Sequence, residues 1–163
     1  MADAPGEPGQ PPRWIPTGKS GVGRSLRDDS RVWFTLGNGI LNEIAYPRIE
    51  QTAVRDFGLI VTDGETLFAE ERRDCEAVTL PLAPGIPAYR IVSTHRGGRF
   101  RLHKRIIADP IRPAILQHVR LEELPGFDPG RDPGEASGTR SGDDGDNAVA
   151  SRPSLRLLSL IHI

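Results

Sequence analysis

The chain has 163 residues, 37% of them hydrophobic, and a formal net charge of −1 at pH 7. That length holds one ordinary core, and a charge so near zero gives no electrostatic case for nucleic acid or an anionic membrane. Cys75 is the only cysteine, which excludes an internal disulfide and a cysteine-based metal site.

Residues 1–17 are rich in proline and glycine and read as a flexible arm. No basic segment followed by an apolar one stands there, so no secretory signal is read. No apolar run approaches membrane length. The expected location is cytoplasmic, with export of a longer parent left open. Residues 18–25 have the spacing of a phosphate-binding loop, with Arg24 in place of the lysine. Such a loop needs a buried strand before it and a helix after it. A proline-rich arm and a polar run stand there instead, so no nucleotide site is assigned.

Residues 31–36 form the first long strand. Val32, Phe34 and Leu36 alternate with Trp33 and Thr35, which puts the two sets on opposite faces. Gly37-Asn38-Gly39 comes next as a tight hairpin turn, because glycine and asparagine tolerate positive φ. The next strand, 40–46, is closed by Pro47, which has no N–H to give a ladder. A third, 57–62, ends at Asp63-Gly64, another hairpin signal, and 65–70 is its return strand. The charged run 71–74 is expected to be solvated. A strand at 75–80 precedes a proline-rich loop at 81–87.

Strands at 88–94 and 99–107 flank Arg96-Gly97-Gly98, the best hairpin signal in the chain. In the second arm Phe100, Leu102 and Ile106 share one face. Arg99, Arg101, His103 and Arg105 share the other, which reads as a solvated sheet face. Residues 109–113 hold two prolines and end the hairpin. The next strand, 114–121, sets Ile115, Val119 and Leu121 on one face. No segment carries a sustained helical stripe, so the expected fold is all-β, an antiparallel sandwich spanning 18–124.

Residues 125–154 are rich in Gly, Asp, Pro, Ser and Arg and hold few large apolar side chains. Such a stretch cannot bury enough surface to offset its ordering entropy, so disorder is expected. Residues 155–163 open as a strand at Leu155-Arg156-Leu157. The final hexapeptide resembles the translation of an adaptor used in sequencing libraries. The chain is therefore expected to be the front of a longer gene, and no role is read into His162.

The stretch 21–64 resembles the amino-terminal domain of bacterial glucoamylases and glucodextranases, glycoside hydrolase family 15. The resemblance rests on Gly21-Val22-Gly23, Val32-Trp33-Phe34-Thr35, the Asn38-Gly39 turn, Asn42-Glu43, Tyr46-Pro47, Arg55-Asp56 and Ile60-Val61-Thr62-Asp63-Gly64. It continues more weakly through Tyr89-Arg90 and Ile107-Ala108-Asp109-Pro110. Ala45 departs from it, standing where the family has a tyrosine. The resemblance implies a domain that is part of a larger super-β-sandwich. It also implies a parent that releases terminal glucose from starch- or dextran-type α-glucans with inversion. In that chemistry one carboxylic acid protonates the leaving oxygen and a second carboxylate activates water. In the family both are glutamates on a helical barrel that comes after the β-domain. That barrel lies outside this chain, so the resemblance assigns no catalytic residue here, and the fragment alone is expected to be inactive. The expected partner is the barrel of the same parent chain, with the α-glucan reached through it. No cofactor is expected.

The four histidines show no paired spacing for a metal. Glu43, Glu50, Asp56 and Asp63 are read as turn, strand-edge and interface residues. Core packing explains the Gly37-Asn38-Gly39 turn and the Tyr46-Pro47-Arg48 strand end least well. The turn permits close approach by another backbone. Tyr46 offers an apolar ring with a polar tip, and Arg48 a planar fork for carboxylates or sugar hydroxyls. Asn38, Gly39, Tyr46, Pro47 and Arg48 are therefore candidate substrate-entrance or barrel-interface residues; the alternative is an ordinary turn and strand end. For the whole chain the alternative is a free-standing carbohydrate-binding or structural β-sandwich. The two readings part beyond Leu157: the first requires a barrel with two separated glutamates, the second a stop or a linker.

Overall fold

The computed structural model describes residues 18–125 and 155–162, with side chains through residue 158. The chain runs β1 (Gly21–Arg24), β2 (Trp33–Gly37), β3 (Ile40–Ala45), β4 (Thr52–Val54), β5 (Asp56–Thr62) and β6 (Phe68–Glu70). After one short helical turn, α1 (Glu71–Asp74), come β7 (Cys75–Pro81), β8 (Tyr89–His95), β9 (Phe100–Ala108), β10 (Ile115–Glu123) and β11 (Arg156–His162). The first sheet is ordered β1-β2-β3-β5-β11, with β4 paired to β3 and β6 to β5. The second is ordered β10-β9-β8-β7. Neighbours pair antiparallel throughout. This is the all-β sandwich expected from the alternation.

The period-two pattern decides which faces meet. Val32, just ahead of β2, and Phe34, Leu36 and Leu41 from the first sheet pack with Ile91, Ile106 and Ala108 from the second. Leu59, Val61 and Ala69 likewise meet Cys75, Phe100 and Leu102. Burying one such large side chain is worth about 1.5–3 kcal/mol, so turning a strand over would forfeit several of these terms at once. Ile115 joins the first cluster, and Val119 and Leu121 the second, as their shared face requires. At the seam, the Tyr89 hydroxyl donates to Val22 O (2.7 Å) and accepts from Val22 N (3.2 Å), tying β8 to β1.

Three expectations are corrected. The charged run 71–74 is not a solvated loop: Glu71 is 2% exposed and lies between the sheets, where Lys104 meets it. Arg99 is not part of a solvated face, because its guanidinium reaches across to Asp63 Oδ2 at 3.1 Å. The return strand after Asp63-Gly64 is shorter than 65–70 and starts at Phe68, because Asp63 gathers the N–H groups of Glu65, Thr66 and Leu67 before a ladder can begin. Residues 18–25, with their phosphate-loop spacing, hold strand β1 rather than a loop opening a helix. β11 begins where Leu155-Arg156-Leu157 predicts and continues through His162 along β5. The arm 1–17 and all but residue 125 of the 125–154 stretch lie outside the described residues.

Candidate functional site

The β2–β3 hairpin presents the two groups of candidate residues at its opposite ends. Asn38 and Gly39 form the turn, with φ of 51° and 82°. Tyr46, Pro47 and Arg48 lie past the far end of β3, about 20 Å away for a six-residue strand. The structure therefore does not bring the five together.

At the turn, Asn38 is exposed and Gly39 buried. The Gly39 carbonyl accepts a hydrogen bond from Lys104 Nζ. Lys104, on β9, occupies the same inward row as Leu102 and Ile106 and is 1% exposed. Its ammonium lies 2.5 Å from Glu71 Oε1, which also accepts from Ser93 Oγ at 2.7 Å. Burial pushes the Lys104 ammonium below its ordinary range, and the Glu71 carboxylate opposes that. Gly39 is required here by more than its positive φ. A Cβ at this position would stand 2.6 Å from Ala77 Cβ and 3.1 Å from Ser93 Oγ.

At the other end, the peptide before Pro47 is cis, and the chain reverses through Tyr46 N to Gln51 O and Gln51 N to Arg48 O, both 3.0 Å. Tyr46 and Arg48 are exposed. Pro47 and Arg48 form one wall of a cleft of about 310 Å³. Arg24, Asp28, Ser30, Arg31 and Trp33 form most of the rest. Arg24 Nη2 binds Asp28 Oδ1 at 2.8 Å, and its Cζ lies 4.8 Å from the Trp33 ring centroid. Ser25, 1% exposed, anchors this loop by donating to Pro110 O at 3.3 Å. A second hollow of about 100 Å³ adjoins, sharing Trp33 and Ile49 and adding Thr35, Glu43 and Ala45. The small side chain of Ala45 helps leave that hollow open beside Trp33.

The carboxylates singled out in the sequence have structural partners. Glu43 accepts from Thr35 Oγ1 at 2.9 Å and meets Lys19 at 3.0 Å. Burial raises its pKa, but Lys19 and Thr35 outweigh that and hold it below the ordinary value. Asp56 faces Arg72 at 3.4 Å, and Glu50 faces Arg48 at 3.8 Å. Asp63 accepts from three backbone N–H groups, from Thr66 Oγ1 and from Arg99. The Leu67 and Glu65 N–H groups chiefly hold its carboxyl well below the ordinary range. Sequence reasoning found Pro47 and Arg48 but missed Arg24, Asp28, Ser30, Arg31 and Trp33. The available signal was Trp33, a large aromatic on the face opposite the core stripe.

These sheets define the class, a β-sandwich domain of the kind found in bacterial glucoamylases. The crystal structure of a bacterial glucoamylase complexed with acarbose superposes with a TM-score of 0.69 at 33% identity, covering 74% of this chain and 18% of that one. A glucoamylase of Clostridium sp. (strain G0005) is 34% identical over 119 residues, 73% of this chain and 17% of its own length. Residues 4–129 match the family described as Glucodextranase, domain N, and the chain belongs to that family. It spans less than a fifth of the length of these two relatives.

Proposed function

We propose that this chain is the amino-terminal supporting domain of an inverting α-glucosidase of the glucoamylase and glucodextranase type. Its parent acts on starch- or dextran-like glucans through a catalytic helical barrel of the same chain. The observation that carries this is the pair of glucoamylase relatives, matched over about three quarters of this chain but under a fifth of their own length. The structural engagement of Glu43, Glu50, Asp56 and Asp63 supports it, since none of them forms a free pair across a cleft. In this reading Tyr46, Pro47 and Arg48 face the barrel or the substrate entrance. Asn38 is the exposed residue of a separate contact at the other end of the hairpin.

The test is a graft. Residues 18–121 replace the matching segment of the Clostridium glucoamylase, beside a version that lacks the segment. Glucose release from maltooligosaccharides by the graft, and its loss on deletion, supports the role. A deletion that keeps full turnover and melting temperature overturns it. Within an active graft, Asn38→Ala or Arg48→Ala should raise KM or lower kcat at unchanged melting temperature.

A further inference from the structure

We propose that the cleft beside Trp33 is a binding subsite for a sugar acid, with the carboxylate held by Arg31 and Arg48. This goes beyond the supporting role and does not rest on it. Three arginines line the cleft against one aspartate, which pairs with Arg24 at 2.8 Å while its own side chain is fully exposed, so the lining carries a net positive charge. Arg24 is further fixed by donating from Nε to Ser25 O at 3.0 Å and by lying over the indole. It is a wall of the cleft rather than a free donor. Arg31 is exposed and has no hydrogen bond or ion pair among the described residues. Arg48 has only Glu50 at 3.8 Å, a pair whose side chains are 75% and 64% exposed. Such loose surface pairs are weak. Two guanidinium forks thus line the cleft with donors to spare, and a guanidinium fork is suited to taking a carboxylate side-on.

Ser30 gives the second, independent indication. It is 3% exposed, it lines the cleft, and its hydroxyl has no partner among the described residues. A buried polar atom left unpaired is costly, and this one lies just behind the cleft surface, where pairing with a ligand oxygen requires the wall to give at Ser30. Trp33 and the Arg24 guanidinium that lies over it together form one wall for the ring that bears the carboxylate. The volume, about 310 Å³, is at the lower end for small-molecule sites and suits one sugar ring. Thr35 and Glu43, across the indole in the adjoining hollow, offer oxygens to hydroxyls of a neighbouring unit.

The test uses the full chain carrying Trp14→Phe, so that Trp33 alone reports by fluorescence. Probes are D-glucuronate, D-glucose, inorganic phosphate and a tetraglutamate peptide. The proposal expects a saturable change with glucuronate and none with glucose at equal concentration. Arg31→Gln or Arg48→Gln should weaken glucuronate binding about tenfold each, and Ser30→Ala by a smaller factor. Both arginines are exposed, so folding should be unaffected, as circular dichroism would verify. Several outcomes overturn the assignment: no saturable response, equal responses to glucose and glucuronate, or a glucuronate response unchanged in the double arginine variant. A response to phosphate or peptide without one to glucuronate also overturns it.

Discussion

Replacing Lys104 with methionine tests how the hairpin turn is held. The change keeps most of the buried stem and removes the ammonium. Glu71 then keeps the Ser93 hydroxyl as a donor, while its Oε2 already has no partner among the described residues. The Gly39 carbonyl loses the Lys104 donor. Breaking a buried pair from one side costs about 3–5 kcal/mol. In a domain of this size each kcal/mol moves the midpoint by about 4–8 °C, so the melting temperature should fall by at least about 12 °C. The assay is urea and thermal unfolding at neutral pH, monitored by circular dichroism. The double variant Lys104→Met with Glu71→Leu removes both charges and should regain at least half the loss, because no unpaired ion remains. A single variant within about 1 kcal/mol of the parent, or a double variant as unstable as the sum of the singles, would refute the reasoning.

The Asp63 carboxyl is held below its ordinary value of 3.8. A folded value below the unfolded one adds stability that is complete above about pH 4 and lost as pH falls below it; Asp63→Asn should therefore flatten the acid side of a melting-temperature profile between pH 5.5 and 3, and an unchanged slope would contradict this. Gly39→Ala meets both a positive φ and Ala77 Cβ at 2.6 Å, so it should cost about 2 kcal/mol or more, whereas Asn38→Gly should stay within about 1 kcal/mol. Both are read from the same unfolding curves, and equal effects would count against the close approach. Burial pushes the Cys75 thiol up to about 12, so a thiol reagent at pH 8 should label the native chain slowly and the urea-unfolded chain at once; fast native labelling would show that the interior opens there.

Turns and alternation were legible because they are local. Gly37-Asn38-Gly39 and Arg96-Gly97-Gly98 announce their hairpins by chemistry that needs no distant partner. Phe100, Leu102 and Ile106 declare an inward face by period alone. The same period places Lys104 inward too, but a lysine in that row makes sense only once Glu71 is known to lie opposite. Glu71 hid within a charged tetrapeptide, where composition suggests solvent. Arg99 and Asp63 are 36 residues apart, beyond any local signal. The cleft was illegible for a related reason. Arg24, Asp28, Ser30 and Arg31 come from the end of β1 and a loop without periodicity, and they meet Arg48 only after β1, β2 and β3 have paired.

The fit of Gly39 beneath Lys104 acts as an error check on strand pairing. A one-residue slip along β2–β3 would exchange the inward and outward side chains and bring Asn38 or Ile40 to the place that Gly39 fills. Neither could enter, because even a methyl group there would collide with Ala77. A mispaired hairpin would thus be unable to seat against the second sheet. Lys104 would remain without its backbone acceptor, and the two sheets could not close on the faulty pairing. The buried charge, costly as a contributor to stability, in this way discriminates between one pairing and its near neighbours.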